Sequence, residues 1–230
     1  MRNHILKTTA VSAILGLLAA GCASSEGGKA SRVESRAEMP RALLIGDSIS
    51  IGYFKPLQKL LEGKAVVEHN AGNAADTANG LANLDKWLGD TPWDVIHFNH
   101  GLHDLKYVDE QGRNAAVEKG KQKIPIDQYE KNLDELVRRL KKTGAKLIFA
   151  TTTPVPDGTG FRVKGDEQKY NVAAKRVMKK HGVTIDDLYS FAMPRLGEIQ
   201  RPQNVHFTEA GSELLAQQVA ESILDALDRQ

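Results

Sequence analysis

Residues 42–48 read Ala42-Leu43-Leu44-Ile45-Gly46-Asp47-Ser48. Four apolar residues in a row, cut off by a glycine, an acid and a hydroxyl, describe a buried strand that stops at a polar loop. The pattern returns downstream in Ala65-Val66-Val67, in Asp94-Val95-Ile96-His97-Phe98, in Lys146-Leu147-Ile148-Phe149-Ala150 and in Val183-Thr184-Ile185. Helical spacing fills the gaps. Pro56 can open a helix carrying Leu57, Leu60 and Leu61, and Leu81, Leu84 and Leu88 recur at helical intervals. Tyr129, Leu133, Leu136, Val137 and Leu140 line one face of a helix between Pro125 and Lys142. A further helix is expected near 166–181, and Thr208 can cap a last one with Leu214, Leu215, Val219, Ile223 and Leu227 inward. Five strands alternating with helices predict a five-stranded parallel sheet in an α/β/α sandwich. In such sheets a ligand sits outside the carboxyl ends of the strands.

The rest of the chain fits one such domain. It has 230 residues, 41% hydrophobic and 26% charged, with 31 Lys and Arg against 29 Asp and Glu. These globular proportions exclude collagen-like, coiled-coil and wholly disordered chains. The charge balance argues against a nucleic-acid partner, and the single cysteine excludes an internal disulfide framework. Residues 1–21 carry Arg2 and Lys7 ahead of an apolar stretch, Ala10–Ala20, too short to span a bilayer. Leu18-Ala19-Ala20-Gly21 then meets Cys22, which resembles a bacterial lipobox, with Ala19 where leucine is usual. Two readings stand: a lipoprotein signal peptide with Cys22 lipidated, or a secretory signal cut nearby. Either implies export to the cell envelope, and the first adds a membrane anchor. Loss of residues 1–21 takes two bases from the 31 and leaves a neutral chain. Residues 22–40 are small, polar and charged and read as a flexible tether, so the folded domain is expected over 41–230. Residues 105–124 form a long polar insertion after the third strand that can shape a substrate cleft.

Candidate chemistry collects at the strand ends. Ser48 follows the first strand directly, where a strand-to-helix turn exposes a hydroxyl and a backbone N–H; Gly-Asp-Ser is equally ordinary turn chemistry. Serine needs a base to take its proton. His206, in Asn204-Val205-His206-Phe207-Thr208, stands just ahead of the last helix, as a base or as a packing residue. Asn70-Ala71-Gly72-Asn73 and Asn99-His100-Gly101-Leu102-His103-Asp104 offer donors that could converge on an oxyanion. His97, His100 and His103, with Asp104, allow a rival Zn²⁺ site, although residues three apart on a strand face opposite sides. Trp87 and Trp93 read as packing before sugar stacking, and Thr151-Thr152-Thr153 as a turn or a substrate contact.

Taken in order, these pieces resemble the SGNH (GDSL-type) hydrolase family. Gly46-Asp47-Ser48 matches its first block and Gly72 its second. Gly101-Leu102-His103-Asp104 matches in part the Gly-x-Asn-Asp third block, and Gln203-Asn204-Val205-His206 in part the Asp-x-x-His last block. The resemblance spans about 42–228. It implies a flavodoxin-like three-layer sandwich, Ser48 as nucleophile and His206 as general base. It also implies an oxyanion hole from the backbone N–H groups of Ser48 and Gly72 with the side chain at 103. No cofactor or metal is implied, and the substrates are small-molecule or carbohydrate esters, the envelope location and the polar insertion favouring acetyl groups on a sugar.

Two departures qualify the resemblance. His103 replaces the family's oxyanion asparagine, and Gln203 replaces its triad aspartate. A bacterial subgroup that shares both departures is also similar. Gln203 is then the expected orienter of His206, with Asp186 or Asp104 as alternative sources of a carboxylate. The expected enzyme is a serine esterase working through a Ser–His dyad. The alternatives are a non-catalytic carbohydrate binder on the same fold, a lipase or thioesterase of the same family, and the metal-dependent hydrolase.

Overall fold

A computed structural model describes residues 39–229. The proposed signal segment 1–21, Cys22 and all but the last two residues of the tether lie outside the described residues. Five parallel strands form the central sheet: β1 (Arg41–Ile45), β2 (Val66–His69), β3 (Val95–Phe98), β6 (Lys146–Ala150) and β7 (Thr184–Asp186), in the order β2-β1-β3-β6-β7. This is the flavodoxin-like order, which reverses direction between β1 and β3 and opens a crevice at their carboxyl ends. Ser48 and the Asn99–Asp104 loop follow those two strands.

Helices cover both faces. α1 (Ser48–Leu60) packs against α7 (Glu209–Asp228) on one side, while α2 (Thr77–Leu88), α3 (Ile126–Leu140) and α4 (Asp166–His181) pack in sequence on the other. The core is apolar on both sides of the sheet: Leu43, Leu44, Ile96, Phe98, Ile148 and Phe149 are all essentially inaccessible. Thr208 caps α7 as expected, its Oγ1 accepting from Gly211 N at 3.0 Å.

α1 departs from the sequence expectation. It begins at Ser48, not at Pro56, because Asp47 Oδ1 accepts the Ile49 N–H at 2.9 Å and supplies the cap. Pro56 therefore lies inside the helix and leaves the Gly52 carbonyl without its usual backbone donor. The 105–124 insertion is also more ordered than a plain loop. It holds a two-stranded antiparallel ribbon, β4 (Tyr107–Val108) and β5 (Lys121–Gln122), and Tyr107 N donates to Phe161 O at 2.8 Å. Two short helices before the last loop, α5 (Leu188–Ala192) and α6 (Leu196–Ile199), lack the length for a periodic signal in the sequence.

Candidate active site

The serine turn is held from beneath. Gly46 N donates to Asn70 Oδ1 at 2.8 Å, and the Asn70 amide donates in turn to Gly72 O at 3.1 Å. Gly46 O accepts from Ala74 N at 2.9 Å. The loop carrying Gly72 is thus stitched to the turn carrying Ser48 through one buried asparagine. Gly72 itself takes a left-handed φ of 73°, which glycine adopts without strain. Asp47 is buried, and loss of water pushes its carboxyl up from the ordinary value; its Oδ2 has no partner.

His206 reaches the same turn from the far end of the chain. Its Nε2 lies 2.8 Å from Ser48 Oγ, across 158 residues of sequence. Its Nδ1 lies 2.7 Å from Asn204 Oδ1. The His206 backbone N–H donates to that same Oδ1 at 2.9 Å. A backbone N–H can only donate, so the amide atom it meets is the oxygen. Nδ1, facing that acceptor, must then carry the ring proton, and Nε2 is left bare to accept from the serine hydroxyl. Burial pushes the imidazole below its ordinary pKa, and Arg201 and Arg162 push the same way.

The expected orienter is corrected here. Gln203 is exposed and packs over Gly158, where a Cβ would fall 2.8 Å from Gln203 Cγ. Its φ of 52° belongs to the tight turn that brings Asn204 back over the ring. Asn204, two residues before the histidine rather than three, holds Nδ1. Neither alternative acid is available. Asp104 is buried against Thr77, accepting from its N–H at 2.9 Å and its Oγ1 at 2.6 Å, and burial pushes it up to about 8. Asp186 is buried between His97 Nε2 at 3.0 Å and Gln218 Nε2 at 3.1 Å.

The remaining candidates separate. His100 is buried with its Nδ1 3.1 Å from Ala75 O. With His97 committed to Asp186, the three histidines do not converge. Among the described residues no group of three or more His, Cys, Asp or Glu side chains could hold a metal ion. His103 is half-buried at the mouth of the β3 loop, and burial, Lys106 and Arg162 hold it down to about 4. It is therefore neutral and offers a single N–H donor. That loop is pinned to the end of β6. Gly101 has φ 152°, and a Cβ there would fall 1.9 Å from Thr152 Oγ1, which donates to His100 O at 3.2 Å. Thr151 donates to Asp187 Oδ1 at 2.9 Å, so the buried threonines serve as stitching. Trp93 is buried beside Arg41, at the opposite end of β1.

Beside Ser48 and His206 opens a cleft of about 460 Å³, lined also by Ile51, Lys55, Arg201 and Glu209. Arg162 stands close enough for its charge to act on Asp47, His103 and His206. Sequence reading missed both Asn204 and Arg162. The first was legible as an Asx turn; the second sits in an irregular loop with no periodic or motif signal.

Several solved structures share the fold. An acetyl xylan esterase, AlAXEase, is 16% identical, with 80% of this chain and 99% of that one covered at a TM-score of 0.64. A lipase/acylhydrolase from Enterococcus faecalis is 19% identical, with coverage of 80% and 95% and a TM-score of 0.67. Axe2, an acetylxylan esterase from Geobacillus stearothermophilus, is 17% identical, with coverage of 83% and 95% and a TM-score of 0.64. No curated protein matches the sequence. Residues 44–214, most of the described chain, match the GDSL-like lipase/acylhydrolase family, so the protein belongs to that family and is an esterase or acylhydrolase.

Proposed function

We propose that the protein is a serine esterase in which Ser48 and His206 work as a dyad oriented by Asn204, removing small acyl groups, acetyl foremost, from carbohydrate esters. Ser48 Oγ attacks the ester carbonyl as its proton passes to His206 Nε2. The tetrahedral oxyanion faces the backbone N–H groups of Ser48 and Gly72 and the one N–H of neutral His103. His206 returns the proton to the leaving alcohol, and water releases the acyl group by the same route.

The single observation carrying this reading is the relay Ser48 Oγ–His206 Nε2–Asn204 Oδ1, with contacts of 2.8 and 2.7 Å. An amide in a triad aspartate's place costs a serine protease about 10⁴ in rate through the wrong tautomer. Here the His206 backbone N–H pins the amide oxygen toward the ring, which avoids that loss. Gln203, which replaces the family's triad aspartate, stands outside the relay. The acyl preference is supported by the charged side chains Lys55, Arg201 and Glu209 in the walls of the cleft beside Ser48. The acetyl xylan esterases that share the fold are consistent with it.

A fluorophosphonate probe tests the nucleophile: labelling should occur on the native protein and vanish in Ser48→Ala. Acetyl and octanoyl 4-nitrophenyl esters test the acyl class, and a clear preference for the longer chain would overturn it. We propose also that the enzyme acts in the cell envelope, anchored through lipid on Cys22. Cys22→Ser should move it from the membrane fraction to the soluble fraction.

A further inference from the structure

The whole chain is close to neutral, but the rim of the catalytic pair is not. Arg162 is partly buried, and among the described residues no carboxylate lies within 4.0 Å of it, of Arg201 or of Lys55. The Arg162 head is fixed in place all the same. Its Nε donates to Leu102 O at 2.8 Å, and its guanidinium carbon lies 4.7 Å from the centroid of the Phe161 ring. The loop beneath is tied down by Tyr107 N to Phe161 O at 2.8 Å and by Thr159 Oγ1 to Arg162 O at 3.3 Å. What remains unpaired is the pair of terminal nitrogens, the edge that grips an oxyanion in two places. Asp47 acts on Arg162 through its field but makes no ion pair with it, and a bound anion in contact would offset the cost of partly burying the arginine.

Arg201 lines the cleft with Ser48 and His206, and its charge, like that of Arg162, acts on the His206 ring. The charged groups around His206 are Arg162 from the β6–α4 loop, Arg201 from its own loop, Lys55 from α1 and Glu209 at the start of α7. Asp47 is buried below, and His103 is neutral across the gap. Cations outnumber the accessible acid, and the position that would hold a triad carboxylate is an amide. Formation of the imidazolium is therefore disfavoured until negative charge arrives.

We propose that the ester cleaved here carries an oxyanionic group, a carboxylate, phosphate or sulfate, close to the scissile bond and held by Arg162 and Arg201. This rests on the serine-esterase reading above and adds its substrate class. The anion is bound and not transformed: the acyl carbon–oxygen bond is still the one that breaks, and the alcohol leaves with the proton from His206. An anion there also compensates the two arginines as His206 takes up its proton, the service a triad aspartate would otherwise give.

Two measurements test it separately from the reading beneath it. The first is calorimetric binding of glucuronate, glucose 6-phosphate and glucose to Ser48→Ala, which needs no turnover. At least one anionic sugar should bind about 10-fold more tightly than glucose, and the stronger of the two tells carboxylate from phosphate. That gain should shrink about 5-fold or more in Arg162→Gln and, should that variant misfold, in the exposed-loop variant Arg201→Gln. Equal binding of all three, or a preference that survives both substitutions, overturns the proposal. The second is acetate release by the native enzyme from acetylated glucuronate and acetylated glucose. Equal kcat/KM for the two overturns the proposal while leaving the esterase intact. Anion-selective binding with no hydrolysis of any ester, 4-nitrophenyl acetate included, sustains the anion site and overturns the esterase.

Discussion

Two serine–histidine pairs start from the same helix, two residues apart. Ser48 Oγ meets His206 Nε2 at 2.8 Å, and Ser50 Oγ meets His69 Nε2 at 2.7 Å. Both rings rest their other nitrogen on an uncharged oxygen, Asn204 Oδ1 at 2.7 Å in one case and Asn70 O at 2.8 Å in the other. Burial pushes both imidazoles below their ordinary pKa. By contact chemistry alone the two are twins. The difference lies in what surrounds the hydroxyl. Ser48 opens onto a cleft, at the head of the helix, next to the Gly72 loop. Ser50 is buried over Gly46, and its Oγ also lies 2.7 Å from Asp47 O, which can only accept. A serine–histidine contact becomes a catalyst only where a carbonyl can arrive and its developing charge has donors waiting.

The comparison is broken most sharply by removing each ring. His206→Ala should lower ester turnover by roughly 10³-fold or more, since base and acid are lost together. His69→Ala should leave turnover within about 5-fold of native. Steady-state hydrolysis of 4-nitrophenyl acetate reads both, and a comparable loss in the two variants would mean that the pairs are coupled. Next in size is the orienter. Asn204→Ala should cost roughly 10²-fold in kcat, because the ring loses the acceptor that fixes its tautomer. Gln203→Ala should cost little, and a larger loss at 203 than at 204 would reinstate the expected orienter.

That pair of residues also marks where sequence reading stops. The run Ala42–Ser48 gave away the strand and the loop because a buried parallel strand and a sharp polar stop are local signals, while Ser48 became the candidate nucleophile only through the family resemblance. The parallel sheet followed because five such runs alternate with helices, whereas the strand order came only with the family resemblance, because alternation alone fits more than one order. His206 was open to a base or a packing role on its place before a capped helix, and the family's last block singled it out as the candidate base. Its partner was missed, because a spacing of three suggested Gln203, whereas the left-handed φ of 52° at Gln203 folds the chain back so that the residue at spacing two covers the ring. Arg162 was invisible for another reason. Its importance comes from Phe161 and Leu102 O, and the latter lies 60 residues away in sequence.

A carboxylate can be returned to the relay by Asn204→Asp, which keeps an acceptor on Nδ1 and adds charge. In the native protein His206 titrates below its ordinary value, so the neutral, working form persists into mild acid and turnover falls only as pH drops through that lowered value. The added carboxylate favours the imidazolium and raises the pKa. The acid limb of kcat/KM should therefore move upward by about one pH unit, while kcat on the plateau rises or holds. A pH–rate profile of the two proteins decides it, and an unmoved limb would show that Asn204 does not face the titrating group.

The smallest expected effect belongs to the silent pair. Ser50→Ala removes a buried hydroxyl that joins Asp47 O to His69 Nε2. Asp47 O keeps the helical bond from Ile51 N at 3.1 Å, and the half-buried His69 ring can turn its freed nitrogen to water. The loss should thus be near that of one net hydrogen bond, about 1 kcal/mol, read as a shift in urea midpoint with an unchanged slope. Turnover should stay close to native, because Asp47 still caps the helix through Ile49 N and so still presents Ser48. Should Ser50→Ala instead silence the enzyme while leaving the midpoint in place, the distinction between the two pairs would fail, and Ser50 would have to be counted with the chemistry.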